Sequence, residues 1–583
     1  MNFKKTFNIL DIKEKKNFIV LTFLILISTL LETFGITMII PLVTILVDGN
    51  LIENYPVTEP FIKMLGSPSQ VKLLIYVLIF FNLFYFFKLI YLMFLAHLQS
   101  LFTLKIQTKM GKKLFSNYLR MPYIFHTSVN SSILIRNTTS EISLLIFVLR
   151  GYFTIFQEIF LIVCIGAFLL FYNFQVTIII ILIFVLFASS FYSFLKKKLF
   201  KWGKERQKYE AQTLESLQNG FGAIKDIKIF NVQNFFTKIF DKSNFGLALM
   251  NKKQYVIQQI PRLFIEFITL LCLTFLIIST IDSSANYSSL LPTLALFGFA
   301  AFRLMPSVYR LMNVLQDLKF NAPVITNLSL ELENTSKNLD LQNLKINDLN
   351  KNLGFETLFE LKNINFSYDK SEKFSLENIN LSISKGMKVG IIGESGSGKS
   401  TLADIILGLI KPENGEINID GIDITKNFDQ LRKIISYVPQ QIYMTDDTIL
   451  NNIAFGVQKE NINKINFDLA IKNAQIKDYI NSLDHKENTR IGEGGVKLSG
   501  GQRQRLGIAR SLYSNPQIIL FDEATSALDM DTESNLMEAI EALSPSKTVI
   551  IITHRLSTIK NCDIVYVLDK GKIIKKGTPK EIL

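Results

Sequence analysis

The sequence predicts two folds in succession: a membrane α-helical domain with six transmembrane helices, then an α/β domain built around a phosphate-cradling P-loop. Three observations predict this. Of 583 residues, 49% are hydrophobic and 48 are Phe, and the mean hydropathy is +0.28, a composition that points to the membrane rather than to one soluble domain. The apolar residues gather in six long runs within the first 311 positions. Behind these runs stand Gly393-Glu394-Ser395-Gly396-Ser397-Gly398-Lys399-Ser400 and, about a hundred residues on, Leu498-Ser499-Gly500-Gly501-Gln502.

The apolar runs cover about Phe18 to Val47, Val71 to Ala96, Tyr152 to Tyr172, Phe174 to Leu195, Leu263 to Ile281 and Leu290 to Leu311. Each is near or above the roughly 20 residues that cross a bilayer as a helix. The first is longer than a secretory apolar region and lacks a small-residue cleavage site, so it is expected to stay as a membrane helix. Basic residues set the orientation. Lys4, Lys5, Lys13, Lys15 and Lys16 precede the first span, Lys105, Lys109, Lys112, Lys113, Arg120 and Arg136 follow the second, and Lys196-Lys197-Lys198 follow the fourth. The segment Asp48 to Gln70 has a single Lys against Asp48, Glu53 and Glu59. Both chain ends are therefore expected in the cytoplasm. The same distribution explains the net charge of +13 through cytoplasmic loops, and six spans exclude a soluble protein working on nucleic acid.

The loops between spans two and three and between spans four and five are long and keep an apolar period near 3.6, which predicts helices running on beyond the bilayer. Ser131 to Asn137 and Glu215 to Lys225 are candidate short helices there, read either as elements that dock on the P-loop domain or as solvated turns. Residues 322–354 turn to Asn, Lys, Leu and Glu and are expected to be a linker, separating a transmembrane domain, 1–321, from an α/β domain, 355–583. Cys164, Cys272 and Cys562 lack metal or disulfide spacing and read as small buried hydrophobes.

In the α/β part, Gly393 follows the apolar strand Val389 to Ile392, and Thr401 opens an apolar helix. This strand–loop–helix context lets backbone N–H groups converge on nucleotide phosphates, with Lys399 neutralising the outer phosphates and Ser400 reaching Mg²⁺. Ile518-Ile519-Leu520-Phe521-Asp522-Glu523 is an apolar strand ending in two acids. Phosphoryl transfer needs a metal held on one side and a water oriented in line, which suits Asp522 to Mg²⁺ and Glu523 to the water.

With Leu498 to Gln502 matching a signature motif, the whole chain resembles an ABC exporter half-transporter of the type IV, six-span kind. The resemblance implies further roles: Tyr368 for adenine stacking, Gln440 at the Q-loop facing Mg²⁺ or the attacking water, Ser526 to Asp529 as the D-loop, and His554 as the switch histidine near the γ-phosphate. It also implies a homodimer, in which Ser499, Gly500, Gly501 and Gln502 of one copy meet the ATP held by the P-loop of the other. Gly492-Glu493-Gly494-Gly495 departs from the Gly-Glu-Arg-Gly common in exporters.

Charges inside the spans address what is moved. Glu32, Lys88, Arg262, Glu266, Arg303 and Arg310 lie in or at the ends of apolar runs, where an ionised group costs about 2.5 to 3.5 kcal/mol at mid-bilayer. Two readings stand: snorkelling or pairing with Glu32 and Glu266, or a cavity in which four basic groups hold an anionic head group. The sequences around Glu32, Arg262 and Arg303 resemble the flippases for lipid-linked oligosaccharides of bacterial protein glycosylation. That resemblance implies a polyprenyl-pyrophosphate glycan meeting Arg262, Arg303 and Arg310, with Lys88 where a further Arg is expected and lacking its two-pronged contact. It further implies a place in the bacterial cytoplasmic membrane, and a short external helix for the polyprenyl tail at Pro60 to Gly66, a segment equally readable as a loop. Another lipid, a drug or a peptide is the alternative cargo.

Overall fold

The computed structural model describes residues 3–38, 69–172, 174–282, 287–346, 354–368, 375–425, 428–523 and 547–582. The rest of the first span beyond residue 38, the segment 60–66 and the expected D-loop lie outside the described residues. The chain divides into two compact units, one of Met1–Met121 and Ser128–Leu339, the other of Pro122–Thr127 and Asp340–Leu583.

The first unit is helical. It comprises α1 (Phe3–Ile9), α2 (Ile12–Thr37), α3 (Gln70–Leu119), α5 (Ser131–Thr138), α6 (Ser140–Tyr172), α7 (Phe174–Gly222), α8 (Ile224–Ile229), α9 (Gln233–Asp282), α10 (Tyr287–Phe320) and most of α11 (Ala322–Ile346), whose residues from Asp340 on fall in the second unit, as does most of α4 (Tyr123–Ser128). Among the described residues five of these helices are long and apolar enough to cross a membrane, and the sixth expected span falls on α10. With 50, 49 and 50 residues, α3, α7 and α9 reach about 75 Å at 1.5 Å per residue, well beyond a bilayer core of about 30 Å. Their polar halves are thus continuous with their spans, as the unbroken period requires.

Packing within this unit follows helical spacing. Leu161, Ile165 and Leu169 form one stripe of α6 and bury against Phe297 and Ala300 of α10. Phe18 of α2 stacks on Phe153 of α6 with ring centroids 4.6 Å apart, and Phe3 of α1 lies edge-on to Tyr152 at 5.0 Å. At Gly203 a Cβ would stand 1.8 Å from the carbonyl oxygen of Phe320, so only glycine lets α7 approach the end of α10 this closely.

Two expectations change here. Ser131 to Asn137 does form a helix, α5, but its Arg136 and Asn137 are buried inside the first unit. Arg136 Nη1 donates to the Gln207 carbonyl at 2.9 Å, and Gln207 Nε2 donates to Glu141 Oε2 at 2.8 Å. Pro122–Thr127 is grouped with the second unit. Residues 322–346 of the expected linker 322–354 are helical. They form α11, whose Val324, Ile325 and Leu328 are buried and whose Asn327 Nδ2 donates to Gln207 Oε1 at 3.1 Å. Apolar residues one turn apart, masked by an Asn-rich composition, hold it to the first unit.

The second unit contains two sheets. β1 (Leu358–Phe366), β2 (Leu376–Ser384), β4 (Asn414–Ile419) and β5 (Ile422–Asp423) pair antiparallel in the order β2-β1-β4-β5. β3 (Lys388–Gly393), β6 (Ile435–Val438), β7 (Ile518–Asp522), β8 (Thr548–Ile552), β9 (Ile564–Asp569) and β10 (Lys572–Gly577) form a sheet of order β10-β9-β3-β8-β7-β6. It is parallel except for the β9–β10 edge. Its central strands are apolar throughout because both faces are covered: Ile518 and Leu520 enter one core cluster, Ile519 and Phe521 the other. Two helices matter for the site, α12 (Lys399–Ile406) after β3 and α13 (Gly500–Tyr513) before β7.

Candidate functional site

Four neighbouring parallel strands, β6, β7, β8 and β3, end on the same side of the sheet, and the chain carries its candidate residues immediately beyond those ends. Asp522 is level with Ile552, and Ile552 with Ile391. Gln440, the Asp522-Glu523 pair, His554 and the P-loop therefore converge although they are distant in sequence. This is where an open α/β sheet offers its crevice.

The P-loop is shaped by its glycines. Gly398 has φ 104, and a Cβ on Gly393 would stand 2.2 Å from the Leu568 carbonyl oxygen, so neither position accepts a side chain without displacing backbone. Gly398 caps α12, whose first N–H groups lack intrahelical partners and favour anions. Lys399 Nζ donates to the carbonyls of Gly393 and Glu394, both at 2.8 Å. Glu394, Ser395, Gly396 and Ser400 are exposed around the loop, while Ser397 and Thr401 are buried. Ser397 Oγ has no hydrogen-bond partner among the described residues. Tyr368 Oη lies 3.3 Å from Thr401 Oγ1, and its half-exposed ring is edge-on to Phe366 at 5.0 Å.

Three of the candidates meet directly. Gln440 Nε2 donates to Glu523 Oε2 at 2.7 Å, and His554 Nδ1 lies 3.0 Å from Glu523 Oε1. Glu523 has φ 47, and its N–H donates to the Ile552 carbonyl at 2.9 Å. Next to it, Asp522 Oδ2 accepts a 3.1 Å bond from the Tyr437 hydroxyl. Burial raises the Asp522 carboxyl above its ordinary range, against the lowering effect of Tyr437, with Glu523 raising it further and Lys399 lowering it. Burial and the neighbouring Asp522 push Asp404 up to about 6. Sequence reasoning missed Tyr437 and Asp404. The available signals were Tyr437 three residues before Gln440, and Asp404 one helical turn after Ser400. A carboxylate and a hydroxyl beside half-buried acids form an oxygen-only donor set that fits Mg²⁺; Asp522 and Ser400 would hold it.

The signature segment has a separate structure. Ser499 caps α13: Gln502 N–H donates to Ser499 Oγ at 3.2 Å, and Ser499 N–H donates to Gln502 Oε1 at 2.9 Å, a reciprocal capping box. Gly500, exposed, and Gly501, part-buried, open the first turn. Among the described residues no hydrogen bond joins 499–502 to the P-loop.

In the membrane unit the four basic candidates have different partners. Arg262 Nε donates to Glu266 Oε1 at 3.0 Å on its own helix, with both groups largely exposed. Arg310 forks onto Glu158, Nε to Oε1 at 2.6 Å and Nη2 to Oε2 at 3.3 Å. Arg303 Nη2 donates to Glu32 Oε2. Lys88 Nζ lies 4.9 Å from the Tyr85 ring centre. Glu158, a buried acid inside an apolar run, was absent from the sequence reading, and it takes the partner role for Arg310.

Comparison with known proteins is consistent along the chain. Residues 18–303 match the ABC transporter transmembrane region, and residues 376–526 match the ABC transporter family. An ATP-dependent lipid A-core flippase of Pectobacterium atrosepticum is 29% identical over 82% of this chain and 81% of its own length. An alpha-hemolysin translocation ATP-binding protein HlyB of Escherichia coli is 30% identical over 82% of this chain and 67% of its own length. The solved structure of a bacterial Atm1-family ABC exporter with ATP bound superposes with a TM-score of 0.76 at 23% identity, covering 98% of this chain and 96% of the other.

Proposed function

Because this chain belongs to the ABC transporters, as an exporter half-transporter that couples ATP hydrolysis to transport, we propose that it flips a polyprenyl-pyrophosphate-linked oligosaccharide across the bacterial cytoplasmic membrane. The observation that carries this reading is the set of charged groups drawn from α2, α3 and α10 into the apolar region. Glu32, Lys88 and Arg303 sum to one positive charge. A net cation inside hydrocarbon is costly unless an anion answers it, and an anionic lipid head group brings that charge to the right depth. The relatives named lipid A-core flippases support a lipid cargo in general.

In the ATPase cycle, Lys399 and the N–H groups at the start of α12 hold the phosphates, and the Tyr368 ring stacks on adenine. Ser400 and Asp522 would hold Mg²⁺, which when bound would supply charge neutralisation on the phosphates. Glu523 takes the proton of the attacking water, and Gln440 and His554, already bonded to its two oxygens, hold its carboxylate in line. Ser499, Gly500, Gly501 and Gln502 serve the nucleotide of a second copy of this chain, so that two ATP clamp a homodimer. Closure then selects one arrangement of the spans, and hydrolysis releases it. Both chain ends lie in the cytoplasm.

Reconstituted protein tests the cargo. ATP-dependent translocation of a polyprenyl-pyrophosphate glycan is expected, with none for a neutral polyprenyl glycoside. Equal transport of both, or transport of drugs alone, sinks the reading in favour of another lipid, drug or peptide exporter.

A further inference from the structure

The charges in the membrane unit differ in how they are balanced. Arg310 and Glu158 neutralise each other through two hydrogen bonds, and Arg262 and Glu266 neutralise each other one turn apart on α9. Glu32, Lys88 and Arg303 come from three different helices, and one carboxylate faces two cations. Glu32 bonds Arg303, while Lys88 lies one turn along α3 from Tyr85, which packs on Gly35 one turn along α2 from Glu32. Among the described residues no carboxylate forms an ion pair with Lys88. The Arg303 side chain remains 28% exposed against 11% for Glu32, so an anion can reach the guanidinium without first entering the packing around the acid.

We propose that this triad is a partner-exchange switch: an anionic lipid head group takes Arg303, and Glu32 passes from Arg303 to Lys88. The inference rests on the anionic-lipid reading above. After exchange every charge of the triad has a partner. Before exchange, Glu32–Arg303 is neutral and Lys88 is the excess cation. Afterwards one phosphate charge of the head group is paired with Arg303 and Glu32 with Lys88, leaving no protein charge of the triad unmatched in the apolar region. The residue types suit the two roles: a guanidinium grips a phosphate with two parallel bonds, whereas a flexible ammonium needs only to receive a carboxylate.

Exchange also changes which helices are tied. The Glu32–Arg303 bond joins α2 to α10. A Glu32–Lys88 bond joins α2 to α3, its existing neighbour, where Tyr91 Oη donates to the Leu24 carbonyl at 2.8 Å, and Phe34 meets Phe84 with ring centroids 5.3 Å apart. Tyr85 presses against Gly35, where a Cβ would stand 3.1 Å from its hydroxyl. Head-group binding thereby frees α10 from α2 while leaving the α2–α3 pair intact. Cargo would in this way release a tie that holds the unloaded transporter together.

The test is a double-mutant cycle on full-length protein in phosphatidylcholine nanodiscs, saturated with ADP so that the P-loop is occupied. Farnesyl pyrophosphate is the probe, farnesol the uncharged control, and affinity is read by thermal shift. Glu32→Gln removes the competitor and is expected to tighten binding about tenfold, the scale of one charge-assisted bond. Lys88→Gln is expected to weaken binding about tenfold in the wild-type background and to have no effect on top of Glu32→Gln, since Lys88 then has no carboxylate to receive. Equal weakening by Lys88→Gln in both backgrounds would show direct contact of Lys88 with the head group and overturn the exchange. So would a failure of Glu32→Gln to tighten binding, or an absence of binding to both the wild type and Glu32→Gln. If Glu32→Gln fails to fold, Arg303→Lys keeps the ion pair and is expected to lose affinity by losing the two-pronged grip; unchanged affinity overturns the exchange. The translocation assay stands apart: loss of the exchange with glycan translocation intact refutes only this inference.

Discussion

Glu523 adopts a left-handed backbone that a glutamate rarely takes, and its carboxylate is bonded on both oxygens. Such an arrangement persists because β7, β8 and the loop after β6 fix it from three sides. Glu523→Gln is expected to keep ATP binding and reduce turnover to the background, measured as trapped nucleotide against released phosphate; turnover within a few-fold of wild type would remove Glu523 from its role. Lys399→Ala is expected to abolish turnover as well. Tyr437 acts one bond further out by orienting the Asp522 carboxylate. Tyr437→Phe in a Glu523→Gln background is expected to weaken Mn²⁺ binding to the ATP complex about 10- to 100-fold, the usual effect of losing a group that orients a ligand. Paramagnetic resonance reads this directly, with metal-free ATP binding unchanged; equal Mn²⁺ affinity would make the hydroxyl bystander chemistry. The places of Lys399, Ser400, Asp522 and Glu523, at a strand–loop–helix and at a strand end, were legible because consecutive residues carry those elements. Tyr437, Asp404 and Glu158 were not, because their significance lies in a neighbour supplied by another strand or helix.

At the scale of elements, the turn between β4 and β5 shows how one residue joins strands. Asp420 accepts from the backbone N–H groups of Glu356, Thr357 and Leu358 and from the Thr357 hydroxyl, at 2.6 to 2.7 Å. Partial burial would raise this carboxyl, but the Thr357 hydroxyl and the three N–H donors outweigh it and hold it at about 2. A depressed carboxyl stabilises the fold above its unfolded value near 3.8, and that contribution disappears as pH falls through about 2. Asp420→Ala is therefore expected to lower the melting temperature at pH 7 by about 2–4 °C, with a smaller difference at pH 3 in a calorimetric series; a constant difference across pH would contradict it. The existence of the strands and long helices was readable from their periods. The identity of the short elements was not. Ser131 to Asn137 and Tyr123 to Ser128 are both brief, and only the burial of Arg136 beside Gln207 and Glu141 shows that the former belongs to the membrane unit.

At the scale of the molecule, the P-loop and the signature segment form separate local structures on one chain. The proposed composite site requires two chains, and mixing tests it. Lys399→Ala and Gly501→Asp homodimers are each expected to be inactive in ATP turnover, whereas mixed dimers regain one complete site and a measurable part of wild-type activity. Continued silence in the mixture would refute a site shared between copies.

What the sequence by itself determined was every property carried by local spacing: the membrane runs, the order of the two units, the phosphate loop and the pair of acids ending β7. A helix period, a strand period or a glycine-rich turn is written in consecutive residues, and its physics needs no distant partner. Only the tertiary structure decided which charges neutralise one another in the membrane unit, that Gln440 and His554 grip the same carboxylate, and that the helical residues 322–339 are packed into the first unit. Those outcomes depend on which side chains a fold brings within a few ångströms across large separations in the chain, where Coulomb attraction and hydrogen bonding act.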